Sequence, residues 1–405
     1  MTILVSDNII SSLGFTTEEN YRNVKQGTCG LQFFADRYDL PEPFMASEID
    51  DERLDEAFAK VSAYYSDFIE KSNLEDEFKK EMLEAKAGVK YTKLEKSCIV
   101  SIAEALKGTN INPAEDEVLF ILSTTKGNVF LLDENEMNGY AREQLYLWRS
   151  AQLISEFFGS IYSPFVVSNA CVSGASALIA AQRQLQARRC EHVIVVGIDM
   201  LSKFVISGFQ SFKALSQEVC KPFDVNRTGL NIGEAVATII LTERHAFECE
   251  SGEIELTVGA MRNDANHISG PSRSGEGAYL ALCHILAGIA PDEIAFVCAH
   301  GTATPYNDEM ESIALTRAGF KDIPVYSLKG YYGHTLGAAG VLESVISTRA
   351  LKEGTILKTY GCDTPGVTYP LDVVMENRET SKRRCVKMLS GFGGCNAAIL
   401  FTKLL

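Results

Sequence analysis

No stretch of this chain is apolar for long enough to cross a bilayer. Its most hydrophobic segments, 118–122 and 193–198, fall far short of the roughly 18 to 20 residues that a spanning helix needs. The eleven cysteines include no Cys-x-x-Cys pair and no cysteine and histidine cluster at zinc-finger spacing, which argues against disulfides and structural zinc. Cys98, Cys283 and Cys298 lie inside apolar segments, as reduced cysteines acting as small hydrophobes do. Basic charge is in deficit: 38 Lys and Arg against 53 Asp and Glu leave a formal net charge of −15. Nucleic acid is therefore not an expected partner, and an anionic partner would need a local basic patch. Residues 1–13 carry no basic run followed by an apolar core and a small-residue cleavage site, so the expected location is cytoplasmic. There is no Gly-x-x-x-x-Gly-Lys-Ser/Thr motif, and no strand, Gly-x-Gly-x-x-Gly and helix in that order. Neither ATP nor a nicotinamide cofactor is expected.

What is present is material for a large core or two packed halves: 405 residues, 46% of them hydrophobic and 22% charged, with no low-complexity linker. Apolar strand-like runs at 118–123, 164–169, 192–198 and 235–241 are separated by helical patterns, and the alternation returns at 294–299, 325–328 and 397–402. This predicts an α/β protein with mostly buried strands. The run Ala235-Val-Ala-Thr-Ile-Ile-Leu-Thr-Glu243 recurs 160 residues later as Cys395-Asn-Ala-Ala-Ile-Leu-Phe-Thr-Lys403, each after a glycine-containing turn. At an offset of 163, Gly174-Ala-Ser-Ala overlays Gly337-Ala-Ala-Gly, and Cys171 falls on His334. Chance likeness of Gly/Ala-rich helices is the alternative to a duplicated unit that brings two helix N-termini to a shared centre.

Three segments carry reactive residues. Ser168-Asn-Ala-Cys171-Val-Ser-Gly-Ala-Ser176 places a cysteine between a buried strand and a small-residue helix. Free N–H groups there favour an anion and would lower the thiol pKa, making a nucleophile; an inert buried cysteine is the other reading. Cys298-Ala-His300-Gly-Thr302-Ala-Thr304 follows a strand and suits a loop that aims one imidazole and two hydroxyls at a ligand, unless His300 is a core histidine. Lys329-Gly-Tyr-Tyr-Gly-His334 places a second imidazole at the head of the second small-residue helix, where a neutral ring is favoured and could donate to an oxyanion. Lys329 is either a surface lysine or a buried ammonium in need of a carboxylate, for which Glu311 is the candidate. Ser390-Gly-Phe392-Gly-Gly394 is a tight turn that could also point backbone N–H groups at an oxyanion.

Taken together, in order and spacing, Asn-Ala-Cys171, His300-Gly-Thr-Ala-Thr, Lys329 with Gly-His334, and Gly-Phe392-Gly-Gly resemble the elongating β-ketoacyl-acyl-carrier-protein synthases of the thiolase superfamily. The resemblance runs from about residue 118 to the C-terminus. It implies a thiolase-like fold of two pseudo-symmetric halves, 1–246 with Cys171 and 247–405 with His300 and His334, layered α-β-α-β-α. It also implies a decarboxylative Claisen condensation of an acyl thioester, carried on Cys171, with malonyl-acyl-carrier protein, in fatty acid, polyene or polyketide synthesis. By the same resemblance, the N–H groups of Cys171 and Phe392 form an oxyanion hole, and His300 and His334 assist decarboxylation. Lys329 and Glu311 match a buried pair, Thr302 and Thr304 bind the phosphopantetheine arm, and Phe209 lies near the acyl pocket. The implied partners are acyl carrier protein and a second subunit, as a homodimer or as a heterodimer with a homologous chain. No metal or bound cofactor is implied, because phosphopantetheine arrives on the carrier.

Two departures stand out: Ser390 occupies a position where many members carry an aromatic, and residues 33–93 match poorly. Competing readings are a non-catalytic partner subunit like the chain-length factors, which lack the nucleophile, and a thiolase acting on coenzyme A thioesters, with Cys395 as its second cysteine.

Overall fold

The computed structural model describes residues 1–71, 76–77, 79–80, 83, 88–245 and 248–405. Eleven strands form one continuous sheet: β1 (Thr2–Ser11), β2 (Val118–Ser123), β3 (Phe165–Val167), β4 (His192–Asp199), β5 (Ala235–Glu243), β6 (Ile254–Asn263), β7 (Ile294–Cys298), β8 (Pro324–Tyr326), β9 (Asp372–Val373), β10 (Arg384–Gly391) and β11 (Cys395–Lys403). Their spatial order is β9-β8-β7-β10-β11-β6-β1-β5-β4-β2-β3. The junction in the middle is slight, since β1 and β6 share only the pairs Ile3 with Glu255 and Leu4 with Ile254.

On either side of that junction the same pattern is laid down twice. β1-β5-β4 is antiparallel throughout and is followed by parallel β2 and β3. β6-β11-β10 is likewise antiparallel and is followed by parallel β7 and β8, with β9 as an added edge. The repeated runs noted in the sequence are β5 and β11, with the same bounds. The anticipated boundary between residues 246 and 247 falls outside the described residues.

Alternation of side chains along the strands builds the layers. Leu119, Ile121, Val193 and Val195 face a central core, whereas Val118, Phe120, Ile194 and Val196 face an outer one. The outer core is closed by helices α1 (Lys93–Leu106) and α2 (Leu147–Phe157), which contribute Ile99, Leu153 and Phe157. A third core lies beyond the second half-sheet, where α5 (Glu276–Ile285) and α6 (Pro305–Arg317) bury Leu282, Ile285, Met310 and Leu315 against Val297, Val386 and Leu400. A further helix, α4 (Lys203–Ser211), lies beside the site described below. The central layer is α3 (Ser173–Gln186) and α7 (Ala339–Glu353), sandwiched between the half-sheets. Helix, sheet, helix, sheet and helix therefore stack in the anticipated order.

The two central helices touch backbone to backbone. A methyl group on Gly174 would lie 2.8 Å from the Val341 nitrogen, and one on Gly340 would lie 2.3 Å from the Ala175 nitrogen. Only glycine allows this approach. Within the poorly matched segment 33–93, the helix Asp51–Lys71 packs Phe58 and Val61 against the outer core. Residues 72–75, 78, 81–82 and 84–87 lie outside the described set.

Candidate active site

β3 ends in a tight reversal in which Ala170 adopts φ of 45° and the Val172 and Ser173 N–H groups donate back to the Asn169 and Ala170 carbonyls. A non-glycine residue in the left-handed region is costly and persists only where its surroundings hold it. Here it lifts Cys171 out of the strand just before α3 begins. From the other half, β7 delivers His300 at its end, and the turn before α7 delivers His334. The Cys171 sulfur and one ring nitrogen of each histidine lie within 4.8 Å of one another. The two rings meet edge to face, with centroids 5.0 Å apart. All three residues are buried.

Hydrogen bonding assigns the His334 tautomer. The Leu336 N–H donates to His334 Nδ1 at 3.3 Å, so the ring proton resides on Nε2, which is buried and has no protein partner among the described residues. An N–H donor therefore faces the cavity. His300 Nδ1 is likewise unpartnered. Both imidazoles are held well below their ordinary pKa, first by burial and then by the nearby lysines Lys329 and Lys387. A neutral ring is expected at His334 from the helix terminus alone, but burial and buried cations are the stronger causes and act on both histidines.

The expectation for Cys171 is corrected. Burial pushes its thiol up to about 11, outweighing the opposing pull of Lys329, Lys126 and the Phe392 N–H. Desolvation of the anion exceeds what one helix end returns, so the resting group is a thiol rather than a thiolate. The Phe392 N–H points at the sulfur.

The pairing expected between Lys329 and Glu311 is also corrected. Lys329 Nζ pairs with Glu343 on α7, and both side chains are buried. Glu311, on α6, instead accepts the His300 and Gly301 N–H groups, each at 2.7 Å, and the Asn307 side-chain amide at 2.8 Å. Its role is to clamp the His300 loop, and its donors are backbone groups that a carboxylate at that position meets first. Thr302 and Thr304 share a hydroxyl hydrogen bond of 2.9 Å, and Thr304 also caps α6.

Cys171 stands where two cavities meet. One, of about 330 Å³, is lined by His300, His334, Thr302 and Thr304 and opens past exposed Tyr306 and Lys213. The other, of about 480 Å³, is lined by Phe204, Val205, Leu336 and Lys126. Both also touch Phe209, Phe212 and Phe392. Phe392 stacks on Phe209 and meets Phe212 edge-on, so an aromatic partition divides the two spaces.

The sequence reading passed over Glu343, Lys387 and Asp199. Asp199 ties Thr124 and Thr125 of the first half to the Gly337 N–H of the second. A signal for Glu343 was available: it is a lone acid in the first two turns of a helix whose other residues there are small or apolar.

Comparison with known proteins agrees with this geometry. Residues 5–246 match the β-ketoacyl synthase N-terminal domain, and residues 255–363 match the β-ketoacyl synthase C-terminal domain. A mitochondrial 3-oxoacyl-(acyl-carrier-protein) synthase of Arabidopsis thaliana is 34% identical over 263 residues, covering 58% of this chain and 55% of that protein. 3-Oxoacyl-(acyl-carrier-protein) synthase 2 of Vibrio cholerae serotype O1 is 30% identical, covering 59% of this chain and 62% of that protein. The chain thus spans less than two thirds of the length of the curated relatives it matches. In fold, a ketosynthase in complex with its chain length factor, from Xenorhabdus doucetiae, superimposes with a TM-score of 0.81 at 23% identity, over 99% of this chain and 98% of that one.

Proposed function

The chain belongs to the β-ketoacyl synthase family, and from that premise we propose that it is a 3-oxoacyl-(acyl-carrier-protein) synthase that works through Cys171. The observation that carries this reading is the convergence of one thiol and two neutral imidazoles, from different halves of the fold, at the junction of two cavities. A single substrate pocket needs only one cavity; two suit an acyl chain in one and a carrier-borne arm in the other.

In the first half-reaction the Cys171 thiol gives up its proton, which ends on the departing carrier thiol, because the cavity-facing His334 Nε2 already bears a hydrogen. The sulfur then attacks the acyl thioester carbonyl. The oxyanion that forms lies between the Cys171 and Phe392 N–H groups, and collapse expels the carrier thiol. In the second half-reaction a malonyl thioester enters past Thr302 and Thr304. Loss of carbon dioxide leaves an enolate, whose oxygen accepts the His334 Nε2–H and the His300 N–H. The enolate carbon attacks the acyl carbonyl on Cys171, forming the new carbon-carbon bond and releasing the sulfur. Burial of the three groups keeps water from quenching the enolate.

The partners in this reading are acyl carrier protein, toward which exposed Lys213 at the cavity mouth offers a positive charge, and a second subunit. Edge strand β3 supports the latter, because Phe165 and nearby Ile161 are exposed there. No helix of the described residues is long and apolar enough to cross a membrane. All eleven cysteines are free thiols, which suits a cytoplasmic location.

Mass spectrometry after incubation with acyl-carrier thioesters should find the acyl group on Cys171, and none in Cys171→Ala. An unmodified Cys171 would favour the non-catalytic partner reading, and loading from acyl coenzyme A alone would favour a thiolase-type substrate.

A further inference from the structure

Two lysines, not one, are buried beneath the histidines. Along β10, Cys385 and Leu389 face the central core, and Lys387 between them faces the same way. Its side chain is wholly buried, as is that of Lys329. Glu343 lies between them: one carboxylate oxygen accepts from Lys329, and the other lies 2.5 Å from Lys387 Nζ in a charge contact. The aligned hydrogen bonds of Lys387 go instead to the carbonyls of Ala299, at 2.9 Å, and Cys298, at 3.2 Å. Those are the last two peptide groups before His300.

Among the three groups in direct charge contact, two ammonium groups face one carboxylate, so the cluster itself carries a surplus positive charge. A core does not tolerate such a surplus cheaply, and a second lysine would be superfluous if Lys329 needed only a counter-ion. We propose that Lys387 is a positioning residue for the condensation site, gripping the end of β7 that presents His300 and supplying the surplus buried charge that keeps both imidazoles uncharged donors.

The other charged and titratable groups facing this cluster do not replace it. Glu311, on α6, is spent on the His300 and Gly301 N–H groups, and Asp308 on the same helix accepts from the Phe223 N–H. Asp199 and Lys126 stand on the Cys171 side. Cys298 lies 3.6 Å from Lys387 Nζ. Burial alone would lower the Lys387 pKa, yet Cys298, Glu343 and Glu311 together hold it above the usual lysine range, so it stays charged.

The inference rests on the ketosynthase reading, so its test needs a readout that does not. Nitrogen-15 histidine NMR titration of the intact protein should show His300 and His334 neutral throughout the pH range of stability. In Lys387→Met at least one should titrate, its pKa raised by about one unit or more. The sign follows from removing a cation that disfavours imidazolium. Glu343→Gln combined with Lys387→Met restores a net charge of one cation and should return the rings to neutrality; a purely steric role for Lys387 predicts no such return. In a Cys171→Gln background, the acidic limb of malonyl-carrier decarboxylation should move upward in step with the titration. Lys387→Gln serves if the methionine variant does not fold. Rings that stay neutral in the folded variants overturn the proposal, whereas a normal titration result without any decarboxylation overturns the ketosynthase reading alone.

Discussion

The two half-sheets share one strand order but not one electrostatic character. Val195 on β4 pairs with Ile239, and Lys387 on β10 pairs with Ile399, and these two isoleucines occupy equivalent places in the repeated strands. Where the first half puts a valine into the central core, the second puts a lysine. The helices differ in the same way: Glu343 is buried on α7, whereas the buried residues of α3 are all uncharged. Duplication supplied the geometry, and buried charge added to one copy specialised it. The first half contributes the nucleophile beside Lys126 and the buried acid Asp199, and the second contributes the donors beside two buried lysines.

The largest effects are expected where the two halves meet. Cys171→Gln should lower condensation by at least about a thousandfold while malonyl decarboxylation continues, because the second half keeps its donors. His334→Ala should cut decarboxylation by about 10²- to 10³-fold, the usual cost of one oxyanion donor. Product assays of each half-reaction separate the two outcomes. If His334→Ala and His300→Ala both decarboxylate at the parent rate, the division of labour between the halves is wrong.

A smaller effect should follow from copying the charge into the wrong half. Val195→Lys buries an ammonium with no carboxylate partner, and should destabilise the fold by about 3 to 5 kcal/mol in denaturant titrations. No loss in the single variant would mean that the first half already tolerates charge, and the contrast drawn above would fail.

The mildest test uses pH. Burial raises the Asp308 carboxyl to about 7 from a model-compound value of 3.8. The folded state therefore holds that proton more tightly than the unfolded chain. The resulting stabilisation is fully present below pH 3.8 and is lost as pH rises through about 7. The slope should be at most about 1.4 kcal/mol per pH unit. Asp308→Asn should flatten stability across that window, and an unchanged slope would exclude Asp308 as its source.

Much of this was legible in the residues. The bounds of β2, β5 and β11 follow from unbroken apolar runs, and the reactive residues from glycine-flanked motifs at strand ends. What escaped did so for physical reasons. β1 and β6 were missed because Asp7, Asn8 and the polar alternation of 254–263 interrupt the apolar pattern, although their neighbours are buried. β10 was missed because Lys387 breaks the run; the residue that conceals the strand is the one the site uses. Lys329 was assigned to Glu311 because Glu311 lies in the same motif as His300. Its true partner, Glu343, is brought in by a helix crossing that spacing does not encode.

That crossing has one more consequence. Where α3 and α7 touch through bare main chain at Gly174 and Gly340, the span from sulfur to imidazoles is gauged by peptide geometry rather than by side-chain bulk. Substitutions in the surrounding layer can retune how the site handles protons and anions, while the distance across which it reacts stays locked.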